Sequence, residues 1–230
     1  MLEKVRGAKL IFLLLCGNII SDQIMTIAQP SEHPTFVDWD RLYREGRPPW
    51  ETGQASSELK KLIEEGAIPV GRVLELGCGT GANAVCLAKN GFEVTAIDSS
   101  PTALERARRR GRLENAPVHF ILDDVYNFAK NAEPFDLIFD SSFYHFARRD
   151  NLDQLLDLLW RVTRPGSHYV ALAGNANDES EGGPPRVTEE DIHGELGRLL
   201  DMVQLRTFRF ESPDREDGYL GWSCVMKRPG

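Results

Sequence analysis

From residue 73 onward the apolar positions fall into short runs separated by helical patterns. Val73 to Leu76, Glu93 to Ile97, Val118 to Leu122, Phe135 to Phe139 and His168 to Ala173 each have the length and composition of a buried strand. Between them, Ala82 to Lys89, Pro101 to Arg110 and Asn151 to Thr163 repeat apolar side chains at the period of a helix with one covered face. Strand and helix in alternation predict a parallel sheet with helices on both sides. Towards the C-terminus the period becomes two: Val203 to Phe210 and Tyr219 to Lys227 read as a closing antiparallel pair. Ahead of the first strand, Ser56 to Glu65 is a short helix with a serine cap and Gly66 as its stop. Earlier still, Phe36, Trp39, Leu42 and Tyr43 line one face of a helix that Gly46 to Pro49 ends, and such an aromatic face must cover something.

The first strand runs into Gly77-Cys78-Gly79-Thr80-Gly81, a turn with glycine at alternate positions, and a helix leaves it. Glycine there permits unusual backbone angles and lets a ligand lie against the main chain, so strand, turn and helix predict a nucleotide-like ligand. Asp98 closes the second strand, where a carboxylate can accept both hydrogen bonds of a ribose diol. The acid Glu75 ahead of the glycines separates this pattern from a dinucleotide site, because it repels a pyrophosphate and suits a ligand with a cationic amino-acid end.

The segment Glu75-Leu-Gly-Cys-Gly-Thr-Gly81 with Asp98 downstream resembles the class I methyltransferases that use S-adenosylmethionine, and the resemblance extends over roughly residues 35–228. It implies a Rossmann-like, doubly wound α/β sheet of seven strands in the order 3214576, strand 7 antiparallel. It also implies S-adenosyl-L-methionine as the cofactor, held by Glu75, Gly77, Cys78, Gly79, Gly81, Asp98 and Ser99. An acid after strand three receives the adenine amino group in this family; Asp123 and Asp124 both stand there, and Asp124 with Val125 matches best. The pattern W-x-x-x-Y-x-x-G-x-x-P-W from Trp39 to Trp50 resembles the N-terminal lid of the thiopurine, thiol and halide methyltransferases and of the tellurite-resistance methyltransferases. Carried over by position, Trp39 and Tyr43 become lid residues that meet the substrate, and Trp50 a contact to cofactor or substrate. An aromatic face beside a sulfonium gains about 0.5–2 kcal/mol of cation–π attraction.

Strand four runs into Asp140-Ser-Ser-Phe-Tyr144-His145, at the carboxyl end of a central strand, where open parallel sheets place their chemistry. Asp140 is therefore a cofactor candidate, Tyr144 an orienting group and His145 a base; packing beneath the following helix is the alternative for the last two. Arg186, beyond the polar loop Asn175 to Pro185, is a candidate partner for an anionic substrate or a surface arginine. Neither an amine-methylation motif after strand four nor a catalytic lysine is evident, which favours a soft nucleophile such as a thiol, since a thiolate needs no strong base. An oxygen or nitrogen acceptor on a metabolite, or a module that binds the cofactor without catalysis, are the other readings.

The 230 residues carry a net charge of −8 with basic residues scattered, which argues against a nucleic-acid partner and for a small-molecule acceptor. Arg108-Arg109-Arg110 reads as a solvated cap at a helix end. The four cysteines have neither C-x-x-C spacing nor a histidine cluster, so no metal is expected and reduced thiols of a cytoplasmic enzyme are the simplest account. Residues 1–34 form an N-terminal extension ahead of one domain, 35–230, whose lid is 35–55. Within the extension, Lys4, Arg6 and Lys9 precede the apolar run Leu10 to Cys16, resembling a signal segment but too short to span a bilayer; an upstream extension before Met25 or a docked helix fits as well.

Overall fold

The computed structural model describes residues 37–230 other than 214, and the described part forms one unit; the extension 1–34, Phe36 and Cys16 lie outside it. Its helices are α1 (Trp39–Glu45), α2 (Ser57–Glu64), α3 (Ala82–Lys89), α4 (Pro101–Leu113), α5 (Val125–Phe128), α6 (Tyr144–Val162) and α7 (Glu189–Leu196). Its strands are β1 (Arg72–Leu76), β2 (Glu93–Asp98), β3 (Val118–Leu122), β4 (Phe135–Ser141), β5 (Thr163–Asn175), β6 (Arg186–Val187), β7 (Asp201–Ser212) and β8 (Arg215–Lys227).

The strands lie in the order β3-β2-β1-β4-β5-β8-β7, and only β8 runs against its neighbours, as expected for the seven main strands. The two-residue β6, which sequence periodicity did not reveal, pairs in parallel with the end of β5. Side chains alternate between two cores. Leu74, Leu76, Ile138, Tyr169 and Ala171 face α6 and α7, while Val73, Leu137, Phe139, Val170 and Leu172 face the opposite layer with Leu59, Leu87 and Leu104. Burial on both faces explains why the central strands β1, β4 and β5 are largely apolar, whereas the edge strand β3 is only partly covered.

Local chemistry fixes the helix starts. Ser56 accepts from Glu58 N and Ser100 from Ala103 N, with Pro101 in the first turn of α4. Thr188 and Asp191 form a capping box on α7. The helix predicted from Asn151 is the second half of α6: Asn151 breaks the helical backbone and its Oδ1 accepts from Gln154 N at 3.0 Å. Tyr144 to Asp150 therefore form a separate helical turn immediately after β4. Among the described residues no helix is long and apolar enough to cross a membrane, and no group of three or more His, Cys, Asp or Glu could hold a metal. Cys78, Cys86 and Cys224 are free thiols.

Candidate active site

The carboxyl ends of β1, β2 and β4 converge on the glycine turn. Cys78 N donates to Ile97 O at 2.9 Å and Gly79 N to Asp98 Oδ2 at 2.8 Å, so the turn is bound to the end of β2. Ser100 N donates to the other Asp98 oxygen at 2.8 Å, and the Ser99 backbone also donates to this carboxylate. Gly79 and Gly81 adopt φ of +53° and +76°, angles that L side chains rarely take. A Cβ on Gly81 would meet Ala107 and Phe120 at 2.9 Å, and one on Gly79 would meet the Tyr43 hydroxyl at 2.7 Å. Gly77 borders Phe143.

Three acids are buried at this end of the sheet: Glu75, Asp98 and Asp140. Burial pushes the Glu75 carboxyl up to about 8, with the neighbouring Asp98 and Asp140 charges adding to the effect against hydrogen bonds from the Asn83 side chain and the Ala84 backbone. Burial also raises Asp98, against its backbone N–H bonds, and pushes Asp140 up to about 6. Glu75 Oε2 has no partner among the described residues. A cluster of acids with an unpaired oxygen is complementary to a cationic ligand and hostile to a phosphate. The site therefore fits S-adenosylmethionine, whose positive charge and ribose match buried acids beside the main chain of a glycine turn.

The segment expected to form a lid, α1 with the loop after it, lies on this turn. Trp50 Nε1 donates to Tyr43 Oη at 3.1 Å, and edge-to-face contacts join Trp50 to Trp39 at 5.8 Å and Trp39 to Phe146 at 5.0 Å. Trp50 remains 38% exposed, so one edge of the cluster stays open. Polar clips fasten the lid to α4. Asp40 Oδ1 accepts from Ser100 Oγ at 2.7 Å and Thr102 N at 3.0 Å. Arg106 donates to the carbonyls of Tyr43 and Gly46 at the end of α1. Arg110 spans the lid loop and the glycine turn, donating to Gly53 O at 2.9 Å and Thr80 O at 3.1 Å. Thr80 Oγ1 donates to Glu51, whose other oxygen accepts from Gly53 N. The expectation of a solvated cap at Arg108 to Arg110 is thus corrected in part: α4 continues to Leu113, Arg109 is exposed as expected, Arg108 donates to Phe120 O, and Arg110 binds the lid loop and the turn.

The remaining candidates divide. Asp123 N donates to Asp98 O at 3.3 Å, which sets the Asp123–Asp124 step beside the end of β2. Asp124 is exposed and caps α5 through Tyr126 N and Asn127 N, while Val125 is buried. Asp140 binds Tyr169 Oη and the backbone N–H groups of Phe143 and Tyr144, which makes it a brace for the start of α6 rather than a direct ligand contact. Tyr144 is 0% exposed and its hydroxyl donates to Glu195 at 2.8 Å, inside a network with Arg148, so it points away from the turn. Arg186 bonds to the Ser180 carbonyl within its own loop. His145 is 1% exposed; burial, then the Arg149 charge, lowers its pKa to about 3. Its Nδ1 accepts from Gly174 N at 3.1 Å, so the neutral ring carries its proton on Nε2 and has no lone pair left to act as a base. The geometry replaces the expected His145 base with a buried N–H donor.

Residues 73–166 match a family model described as a methyltransferase domain. A probable thiol methyltransferase 2 of Arabidopsis thaliana is 32% identical over 148 residues, covering 64% of this chain and 65% of that protein. A 2-heptyl-1-hydroxyquinolin-4(1H)-one methyltransferase of Mycobacteroides abscessus is 34% identical over 152 residues, with 64% of this chain and 65% of that protein covered. The chain thus spans about two thirds of the length of these curated relatives. Among solved structures, one from the study "Conversion of a Disulfide Bond into a Thioacetal Group during Echinomycin Biosynthesis" has a TM-score of 0.72 at 23% identity, covering 83% of this chain and 91% of that one. This last likeness carries the fold alone.

Proposed function

We propose that this chain, a class I S-adenosylmethionine-dependent methyltransferase of the group its motifs resemble, methylates a small molecule through a thiol or another soft nucleophile. One observation carries the choice of nucleophile: the side chain expected to be the base, His145, has its Nδ1 lone pair engaged by Gly174 N and its other nitrogen protonated. An acceptor that already ionises near neutral pH fits a site in which alignment and exclusion of water are the main tasks.

When bound, S-adenosylmethionine supplies a methyl group on a positively charged sulfur, which an attacking nucleophile displaces as a neutral thioether. Glu75 and Asp98 stabilise the cationic ligand and are disfavoured as carboxylates without it, since burial raises both. Tyr43 and Trp50 cover the glycine turn and keep water from the reacting atoms, and Trp39 extends that aromatic wall towards Phe146.

Titration with S-adenosylmethionine and S-adenosylhomocysteine, followed by a product-release assay across thiols, halides, phenols and amines, tests the reading. Turnover confined to thiols and other anions supports it; efficient turnover of amines overturns it. The relative acting on a 1-hydroxyquinolone favours an acidic oxygen as the second choice of nucleophile.

A further inference from the structure

Two buried nitrogens at the ends of α6 and β5 lack partners among the described residues: His145 Nε2 and Asn175 Nδ2. Asn175 is 0% exposed and stands next to Gly174, whose N–H binds His145, so the two side chains are tied to consecutive backbone positions. Both unpartnered atoms are donors. Asn175 Oδ1 accepts from Asn177 N at 2.8 Å, which leaves the amide N–H₂ as its unpartnered end, and His145 holds its proton on Nε2. An unsatisfied buried donor is costly enough that each one in a folded chain calls for an explanation. The aromatic chain from the lid ends here, with Phe146 packed on His145 at 4.9 Å and Trp39 on Phe146 at 5.0 Å. Arg149, one turn beyond His145 on the same face, adds a positive field that the imidazole feels.

We propose that His145 and Asn175 form a two-donor subsite for an anionic oxygen of the methyl acceptor, so that the preferred substrate pairs its nucleophile with a carboxylate. The proposal rests on the methyltransferase reading above and names the substrate class for it. The acids lie at the glycine turn, where the ligand is cationic, and the donors lie at the end of β5 and the start of α6, joined to Trp39 through the Phe146 ring. This division of charge holds an anionic acceptor on the far side of the transferred group and turns away a cationic amine.

The test is calorimetric and needs no turnover. Protein saturated with S-adenosylhomocysteine is titrated with 2-mercaptobenzoate and with thiophenol, in the wild type and in Asn175→Asp and Asn175→Ala. Asn175→Asp retains the acceptor for Asn177 N but opposes a carboxylate, and Asn175→Ala removes the donor; thermal melts establish that each is folded. The wild type should bind 2-mercaptobenzoate about tenfold or more tightly than thiophenol, with that preference lost in both variants and S-adenosylhomocysteine affinity unchanged. Equal affinity of the wild type for the two thiols, binding of neither, or a preference that survives in both folded variants overturns the subsite. Failure to bind S-adenosylhomocysteine at all instead overturns the reading on which it rests.

Discussion

The Tyr43 hydroxyl lies so close to Gly79 that a Cβ on the glycine would stand 2.7 Å from it, and Gly79 N is the group that holds Asp98 Oδ2 at 2.8 Å. Lid, turn and acid therefore meet at one backbone position. Gly79→Ala should disturb all of them. The left-handed backbone alone costs about 1–2 kcal/mol, which in a chain of this size lowers the melting temperature by about 2–8 °C. Tyr43 must also move, so cofactor affinity should fall about tenfold or more. Thermal melts and titration with S-adenosylhomocysteine check both parts; an unchanged affinity would mean that the ligand does not lie beneath Tyr43.

Asp98→Ala removes an acceptor of backbone N–H groups as well as a candidate ribose partner. Cofactor affinity should drop by about 1.5–3 kcal/mol, the range for a hydrogen bond to a charged group. The melting temperature should fall too, because Gly79 N and Ser100 N lose their partner. Lower stability with full affinity would reduce Asp98 to a brace.

Releasing the lid from α4 should change the kinetics of cofactor exchange more than the fold. In Arg106→Ala with Arg110→Ala, four donations to lid and turn carbonyls disappear. Each arginine is partly exposed, so about 1 kcal/mol apiece is a reasonable scale. Stopped-flow measurement should show dissociation of S-adenosylhomocysteine accelerated about tenfold or more. An unaltered off-rate would show that these contacts do not hold the lid down.

The pH dependence follows from Glu75. Its carboxyl is raised from 4.5 in the unfolded chain to about 8 in the fold. Between those values the folded state holds a proton that the unfolded state has released, so this group's contribution to stability falls as pH rises through the window. A cation bound beside Glu75 favours the carboxylate and should expel that proton. Binding of S-adenosylmethionine near pH 7, measured by calorimetry in buffers of different ionisation enthalpy, should release up to about one proton. Binding without proton release would place the cationic end of the ligand away from Glu75.

Much of this was legible in the sequence because the relevant signals are local. Buried parallel strands are largely apolar, the glycine turn requires its backbone angles within five residues, and Ser100-Pro101 marks a helix start by itself. What was missed depends on partners far along the chain. Arg106 and Arg110 reach carbonyls in the lid that only the packing of α1 on α4 brings near, although their four-residue spacing on one helical face was a usable sign. Tyr144 and His145 follow a central strand as site residues do, yet the helical turn that starts there buries both, Tyr144 on Glu195 and His145 against Gly174 N, so that neither serves in the role expected. Which way that turn faces depends on Asp140 holding the backbone N–H groups of Phe143 and Tyr144, a contact invisible to periodicity. The extension 1–34 lies outside the described residues.

The break at Asn151 separates two kinds of selection along α6. Leu155, Leu158 and Leu159 answer to the interior, whereas the turn before the break is divided: Tyr144 and Ala147 pack in the same core and Phe146 packs on Trp39. Because Asn151 starts the second half with its own cap, the half-buried Phe146 can change without rewriting the packing that follows it. Drift at that one position could thus reshape the surface that Trp39 packs against while thermal tolerance stayed the same.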